Sequence, residues 1–181
     1  MGTATASVSL QITARDVLTA GLKAGVIPIQ FATALELNNG LADNQIDIAW
    51  SASRVGMAAS ATTNMDLSGA LTDSFGNVVQ FVEVSLIALR NNRTTALANL
   101  LLAPAAANGF GRLAAGLGFW PADIAADGDQ GNVCSPGGWL VLYAADGVPV
   151  TAGTGDILSI TTSAVAGSTN AWDILILGRS A

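Results

Sequence analysis

Val78 to Asn91 reads VVQFVEVSLIALRN, and how this stretch folds decides the fold of the chain. It is rich in β-branched and aromatic residues, contains neither Gly nor Pro, and is flanked by turn chemistry at Ser74-Phe75-Gly76-Asn77 and Asn91-Asn92-Arg93. Taken alternately, one face carries Val78, Val82, Val84, Leu86 and Ala88. The other carries Val79, Phe81, Ile87 and Leu89, interrupted by Glu83 and Ser85. Both faces are mostly apolar, as in a strand covered on two sides. A buried helix is the competing reading, but Val78, Val79, Val82 and Val84 crowd the first half and favour a strand. The run exceeds the roughly 3–10 residues of ordinary strands, so a bulge or bend is expected inside it. The stretch is therefore read as a central strand.

Working outward, short strand patterns recur with turn signals between them. Ser7–Thr13 (SVSLQIT) alternates strictly, and Val26–Phe31 (VIPIQF) reads as a second strand that Pro28 pushes toward a sheet edge. Asn44–Ala49 is a short alternating strand leading to Trp50, and Ser51–Met65 reads as loop plus one short strand. Ala96–Leu102 leans to strand and is ended by Pro104. Trp139–Tyr143 is a short apolar strand closed by Asp146-Gly147. Asp156–Thr162 and Ala171–Leu177 are expected to pair as an antiparallel hairpin. Asn108–Pro136 holds eight glycines and prolines and reads as one long irregular excursion. These patterns predict an all-β chain: an antiparallel β-sandwich or jelly-roll-like domain over residues 1–181, with 108–136 as the excursion and 1–6 as a flexible N-terminal arm.

Composition narrows the function. Charged residues are 11% of the 181, against roughly 25% in a typical soluble domain. Thirty-three alanines, with Gly, Ser and Thr, take their place. So little charge coats a lone particle poorly and points to a surface covered by partners. A membrane span is not expected, because the most apolar window, Ala96–Phe110, is broken by Asn99, Pro104, Asn108 and Gly109. The start, MGTATASVSL, shows no basic region followed by an apolar run. Net charge is −6, with one lysine and six scattered arginines, which argues against nucleic acid. The lone Cys134 excludes an intrachain disulfide.

Chemistry is scarce. The absence of histidine removes the commonest general base and the triads built on imidazole. A carboxylate hydrolase needs two acids, and the chain has two glutamates, Glu36 and Glu83, with no credible second acid beside Glu83. In its apolar strand, Glu83 reads better as a structural acid facing solvent, an interface or an arginine. Asp123–Asn132 (DIAADGDQGN) is the best local site, since Asp127-x-Asp129 opens like a calcium loop. Gly131, Asn132 and Gly138 then stand where that loop wants a ligand, a glycine and a glutamate, so an acidic loop tip is the better reading. Trp50, Trp120, Trp139 and Trp172 could stack on sugars, but core or interface packing suits them better, with Trp139 and Trp172 inside strand patterns. No catalytic, metal or cofactor site is assigned.

Two stretches carry a resemblance: Asn44–Asn91 and Ser135–Ala181, about half of the chain. Their order is a WS.SR segment, a DL.G.LTD.FG turn, the long apolar strand, a PGG turn, a TAGTGD step and a closing DI.I.GRSA strand. This resembles a family of small structural proteins encoded in the virion modules of tailed bacteriophages. The resemblance implies a β-rich, non-enzymatic virion protein, a decoration (cement) or minor capsid component, commonly trimeric. The expected partners are the major capsid protein and sister copies, on the capsid surface. The alternative is a tail- or fibre-associated module recognising host glycans, with Asn108–Pro136 as recognition loop and Trp120 as platform.

Overall fold

A computed structural model describes residues 5–18, 25–93, 96–111, 119–120, 131–164 and 170–180. In chain order the strands are β1 (Ala6–Leu18), β2 (Gly25–Asn39), β3 (Gln45–Ile46), β4 (Ile48–Met57) and β5 (Thr62–Asp66). There follow β6 (Leu71–Thr72), β7 (Val78–Val79), β8 (Glu83–Asn91), β9 (Leu100–Pro104) and β10 (Asn132–Cys134). The last three are β11 (Trp139–Pro149), β12 (Ile157–Thr162) and β13 (Asn170–Arg179). No helix occurs among the described residues, and the chain is an all-β sandwich.

Two four-stranded antiparallel sheets, ordered β11-β8-β13-β4 and β10-β9-β12-β5, form its layers. Between them Val84, Ile87, Leu89, Ile174 and Ile176 from the first sheet meet Leu100, Leu102, Leu158 and Ile160 from the second. Each such fully buried aliphatic side chain contributes about 1.5–3 kcal/mol. Trp50 and Trp172 fill the same core. β1 and β2 form a long antiparallel hairpin, joined to β3 through a short parallel pairing at Asn38–Gln45.

The stretch from Val78 to Asn91 bends twice. Val78-Val79 pairs with Leu71-Thr72 in a small ladder, Gln80–Val82 leaves the strand, and β8 begins at Glu83. Inside β8 the pairing passes from Leu177–Leu86 to Gly178–Val84, so Ser85 is the extra residue of a bulge. This extra residue reverses the alternation. Val84 joins Ile87 and Leu89 in the core, while Leu86 lies in a separate cluster with Ala88, Leu37, Ile46 and Leu177 on the sheet's outer face. The bulge anticipated by strand length is present. β8 is central, with β11 and β13 on either side.

Several expectations are corrected. Asp156–Thr162 and Ala171–Leu177 do not form a hairpin: β12 pairs with β5 and β9, and β13 pairs with β4 and β8, in opposite sheets. Each strand has one strongly apolar side, and facing those sides across the sandwich buries both. Ser51–Met57 is strand rather than loop: β4 is a sheet edge, and Ser51, Ser53, Arg54 and Val55 are exposed on it, so no apolar alternation marks it. β11 runs on past Tyr143, with Ala144–Gly147 looped out before pairing resumes at Val148. The excursion from Asn108 contains β10, which pairs with β9, and it buries Phe110 and Trp120 in the core. Ala6 already belongs to β1, while the first four residues lie outside the described ones.

Two buried polar side chains lock the ends of β8. Asn91 Nδ2 donates to Ala98 O at 2.8 Å and to Cys134 O at 3.0 Å, and its Oδ1 accepts from Arg93 N. At the other end the buried Arg179 pairs with Glu83 and lies 3.7 Å from Asp43, and it also donates to the carbonyls of Leu41 and Asp146. Glu83 is thus a structural acid with an arginine partner.

Candidate functional site

The outer face of the β11-β8-β13-β4 sheet is built in three cross-strand rows. Tyr143, Leu86, Leu177 and Ala49 form the first, and Val141, Ala88, Leu175 and Ser51 the second. Trp139, Arg90, Asp173 and Ser53 form the third. The base of the β1–β2 hairpin and Ile46 of β3 cover the middle of the first row: Leu37 and Ile46 are buried with Leu86 and Leu177, and Ala6, Leu35, Ala88 and Leu175 pack against them, while Tyr143 and Ala49 at the ends of the row are exposed. The rest is open. Trp139 is 65% exposed and Val141 48%, while Ala88 and Leu175 are half-buried. A shallow depression of about 360 Å³ lies over Ala88 and Leu175, between Trp139 and Ser51-Ala52-Ser53.

The third row carries the polar groups. The Arg90 guanidinium stands 5.2 Å from the centre of the Trp139 ring, within cation–π range. Asp173 accepts from Asn92 Nδ2 at 2.7 Å and from Ser53 Oγ at 2.7 Å. The Asn92 bond, then the Ser53 bond, hold the Asp173 carboxyl below its usual range, with a smaller contribution from the charge of Arg90. A depressed folded-state value means that the stabilisation is present above the unfolded pKa and is lost as pH falls through the folded one. Urea midpoints taken from about pH 5 down to about pH 2 are therefore expected to fall more steeply for the wild type than for Asp173→Asn, converging at the acid end. Parallel curves would show that the Asn92 and Ser53 bonds contribute nothing to stability.

The opposite outer face, over β9, β12 and β5, is different in kind. A groove of about 690 Å³ there is lined by Thr62, Asn64, Ser159 and Thr161. These groups satisfy one another, Ser159 Oγ donating to Asn64 Oδ1 at 2.7 Å and Thr62 Oγ1 lying 3.0 Å from Thr161 Oγ1. The larger apolar side chains that also line it are the half-buried Leu101 and Ile157 and the buried Pro104.

Among the tryptophans, three are internal. Trp50, Trp120 and Trp172 donate their indole N–H to Thr72 O, Phe110 O and Met57 Sδ respectively. Trp120, which the glycan-binding alternative needs as an exposed platform, is instead 5% exposed and packs with Phe110 and Phe119 in the core. Trp139, read as packing in the core or at an interface, is the exposed one. It lies on an edge strand, where alternation leaves one side outward and only a neighbouring element could cover it. Asp127 and Asp129 lie outside the described residues. Glu36 is exposed on β2. Arg90, Asn92, Ser53 and Asp173 were missed by sequence reasoning; the only local signal was Arg90, in alternation with Leu86 and Ala88 at the end of the long strand.

The residues that carried the family resemblance hold turns and layers together. Asp73 closes the LTDSFGN turn, its Oδ1 accepting from Phe75 N and Asn77 N, both at 2.8 Å. Gly137 N donates to Asn91 O, and Asn91 N to Gly138 O, which fastens the PGG turn to β8. Asp156 caps the TAGTGD loop by accepting from Gly153 N and Ser68 Oγ. Compared with known proteins, the chain matches no family model, no curated protein and no solved structure.

Proposed function

We propose that this chain is a non-enzymatic structural protein of a tailed-bacteriophage virion that decorates the capsid surface, binding coat subunits and sister copies. The observation that carries this reading is the open sheet face, where Trp139 and Val141 flank the half-buried Ala88 and Leu175. In a chain with only 11% charged residues, such a face is a surface made to be covered. The exposed aromatic anchor beside Arg90 has the composition of an interface centre. The turns that carry the resemblance serve architecture, which suits a passive role. Weak contacts repeated over many symmetric capsid positions sum to firm attachment.

The test uses capsids assembled with and without the chain. Capsids lacking it are expected to open at lower temperature, and Trp139→Glu, which places a charge in the anchor position, is expected to abolish binding to bare shells without unfolding the chain. Equal heat resistance of bare and complete capsids would overturn the decoration reading. A second reading, glycan recognition, is favoured by one observation: Trp139 stands in line with the polar side chains of Asp173 and Ser53, the usual setting of a sugar-stacking ring. Glycan-array binding that disappears in Trp139→Ala would support it, and a flat array would exclude it.

A further inference from the structure

Arg90 lies near the end of β8, where Leu86, Ala88 and Arg90 alternate on one side of the strand. Its partners across the ladders are Trp139 on β11 and Asp173 on β13, so it stands between an aromatic ring and a carboxylate. Opposite charges facing each other across a ladder ordinarily pair. Here the carboxylate is already engaged: Asp173 Oδ1 accepts from Ser53 Oγ and Oδ2 from Asn92 Nδ2, each at 2.7 Å. Among the described residues the ion pairs are those of Arg179 with Asp43 and Glu83, and Arg90 makes none. Its guanidinium stands by the Trp139 ring instead, 5.2 Å from the centre.

The fork of Arg90 is thus held in place with its donors unused. A guanidinium carries five N–H donors in a rigid plane. Buried Arg179 gives its own to Glu83 and to the carbonyls of Leu41 and Asp146. No described residue accepts a hydrogen bond from Arg90, which is exposed and served by water. Its neighbour Trp139 is 65% exposed. Any partner that covers this ring also takes the guanidinium beside it out of water. A purely apolar cover would leave a buried charge unpaired, and a basic one would add repulsion. Asp173 cannot relieve that charge without giving up Ser53 and Asn92. The partner must therefore bring the acceptor, and a carboxylate fits best, because it takes two parallel N–H groups of the fork at once. Stacking on the ring already restricts the guanidinium, so less freedom is lost on pairing.

We infer that Arg90 receives an Asp or Glu carboxylate of a coat subunit in a bidentate pair, with the apolar surroundings of that acid lying against Trp139. The inference rests on the decoration reading above and gives the partner surface its chemistry: one acidic side chain set in an apolar patch.

The test measures binding of the full-length chain to bare capsids. Arg90→Gln is expected to weaken it about tenfold or more, with the melting temperature kept. Arg90→Lys, which keeps the charge and loses the fork, is expected to recover only part of the loss. Converting the exposed carboxylates of the capsid to amides is expected to weaken the wild type and to leave the residual binding of Arg90→Gln unchanged. Equal binding by wild type and Arg90→Gln, or a wild type insensitive to the amides, would overturn the inference and leave decoration standing. A wild type that ignores bare capsids would remove both. An oligomer that loses mass by light scattering in Arg90→Gln, without capsids, would assign the carboxylate to a sister copy and overturn the coat assignment. Capture of an acidic glycan through Arg90 would overturn it in the same way.

Discussion

Gly178→Ala is expected to lower stability by about 3 kcal/mol or more, at or beyond the upper end of ordinary overpacking. A Cβ at this position would lie 2.1 Å from Glu83 O and 2.9 Å from Phe81 Cδ1. The first of these is backbone, in the central strand of the sheet, and cannot turn aside as a side chain tip could. The crowding arises from the bulge: with Ser85 pushed out of register, Gly178 sits opposite Val84 and the chain at Glu83 presses against it. The space is needed here, not a special dihedral. Gly155→Ala is the control, because its Cβ would meet nothing closer than 3.7 Å. It is expected to remain within about 0.5 kcal/mol of wild type. At roughly 2–4 °C of Tm per kcal/mol for a chain of this size, the two variants separate clearly in a thermal scan. A Gly178→Ala protein melting with the wild type would refute the placement of β13 against Glu83.

Trp120→Ala is the second large effect, and it opposes the idea of a sugar platform at that residue. The side chain is buried with its N–H bonded to Phe110 O at 3.0 Å, and it packs with Phe110 and Phe119, whose rings are 6.1 Å apart. Removing it leaves a cavity and an unpaired carbonyl, which costs about 3–5 kcal/mol. That is a large share of a typical total of about 5–15 kcal/mol. The urea midpoint should fall accordingly, with no specific change in ligand binding while the protein remains folded. Trp139→Ala should show the opposite pattern, a small change in midpoint and a loss of binding, because its ring is 65% exposed. Should the two variants exchange behaviours, the assignment of inner and outer tryptophans would be wrong.

The core strands were legible because their signal is local. Leu158 and Ile160 in β12 alternate with Ser159 and Thr161, which identifies a strand with one buried side, and Ile174–Leu177 in β13 is a short apolar run closed by Gly178. The same information cannot name the partner strand, so these neighbours in sequence were read as a hairpin when they belong to opposite sheets. β4 was illegible for a related reason: Ser51–Gly56 at a sheet edge lacks the apolar alternation that a half-buried strand displays.

The candidate site was less legible than the fold. Whether Trp139 or Trp120 faces outward depends on what packs over each. Trp120 lies in the core with its N–H bonded to Phe110 O, whereas Trp139 is 65% exposed. The outer row of Arg90, Asp173 and Ser53 joins three strands far apart in sequence, and no motif spacing encodes it. By itself the sequence determined an all-β chain, a central strand within Val78–Asn91, a bulge or bend inside that stretch, and a low charge content, because these follow from residue chemistry and period. Only the tertiary structure decided which strands pair, which face the Ser85 bulge turns inward, and which sheet face remains open, because each of these depends on contacts between residues distant along the chain.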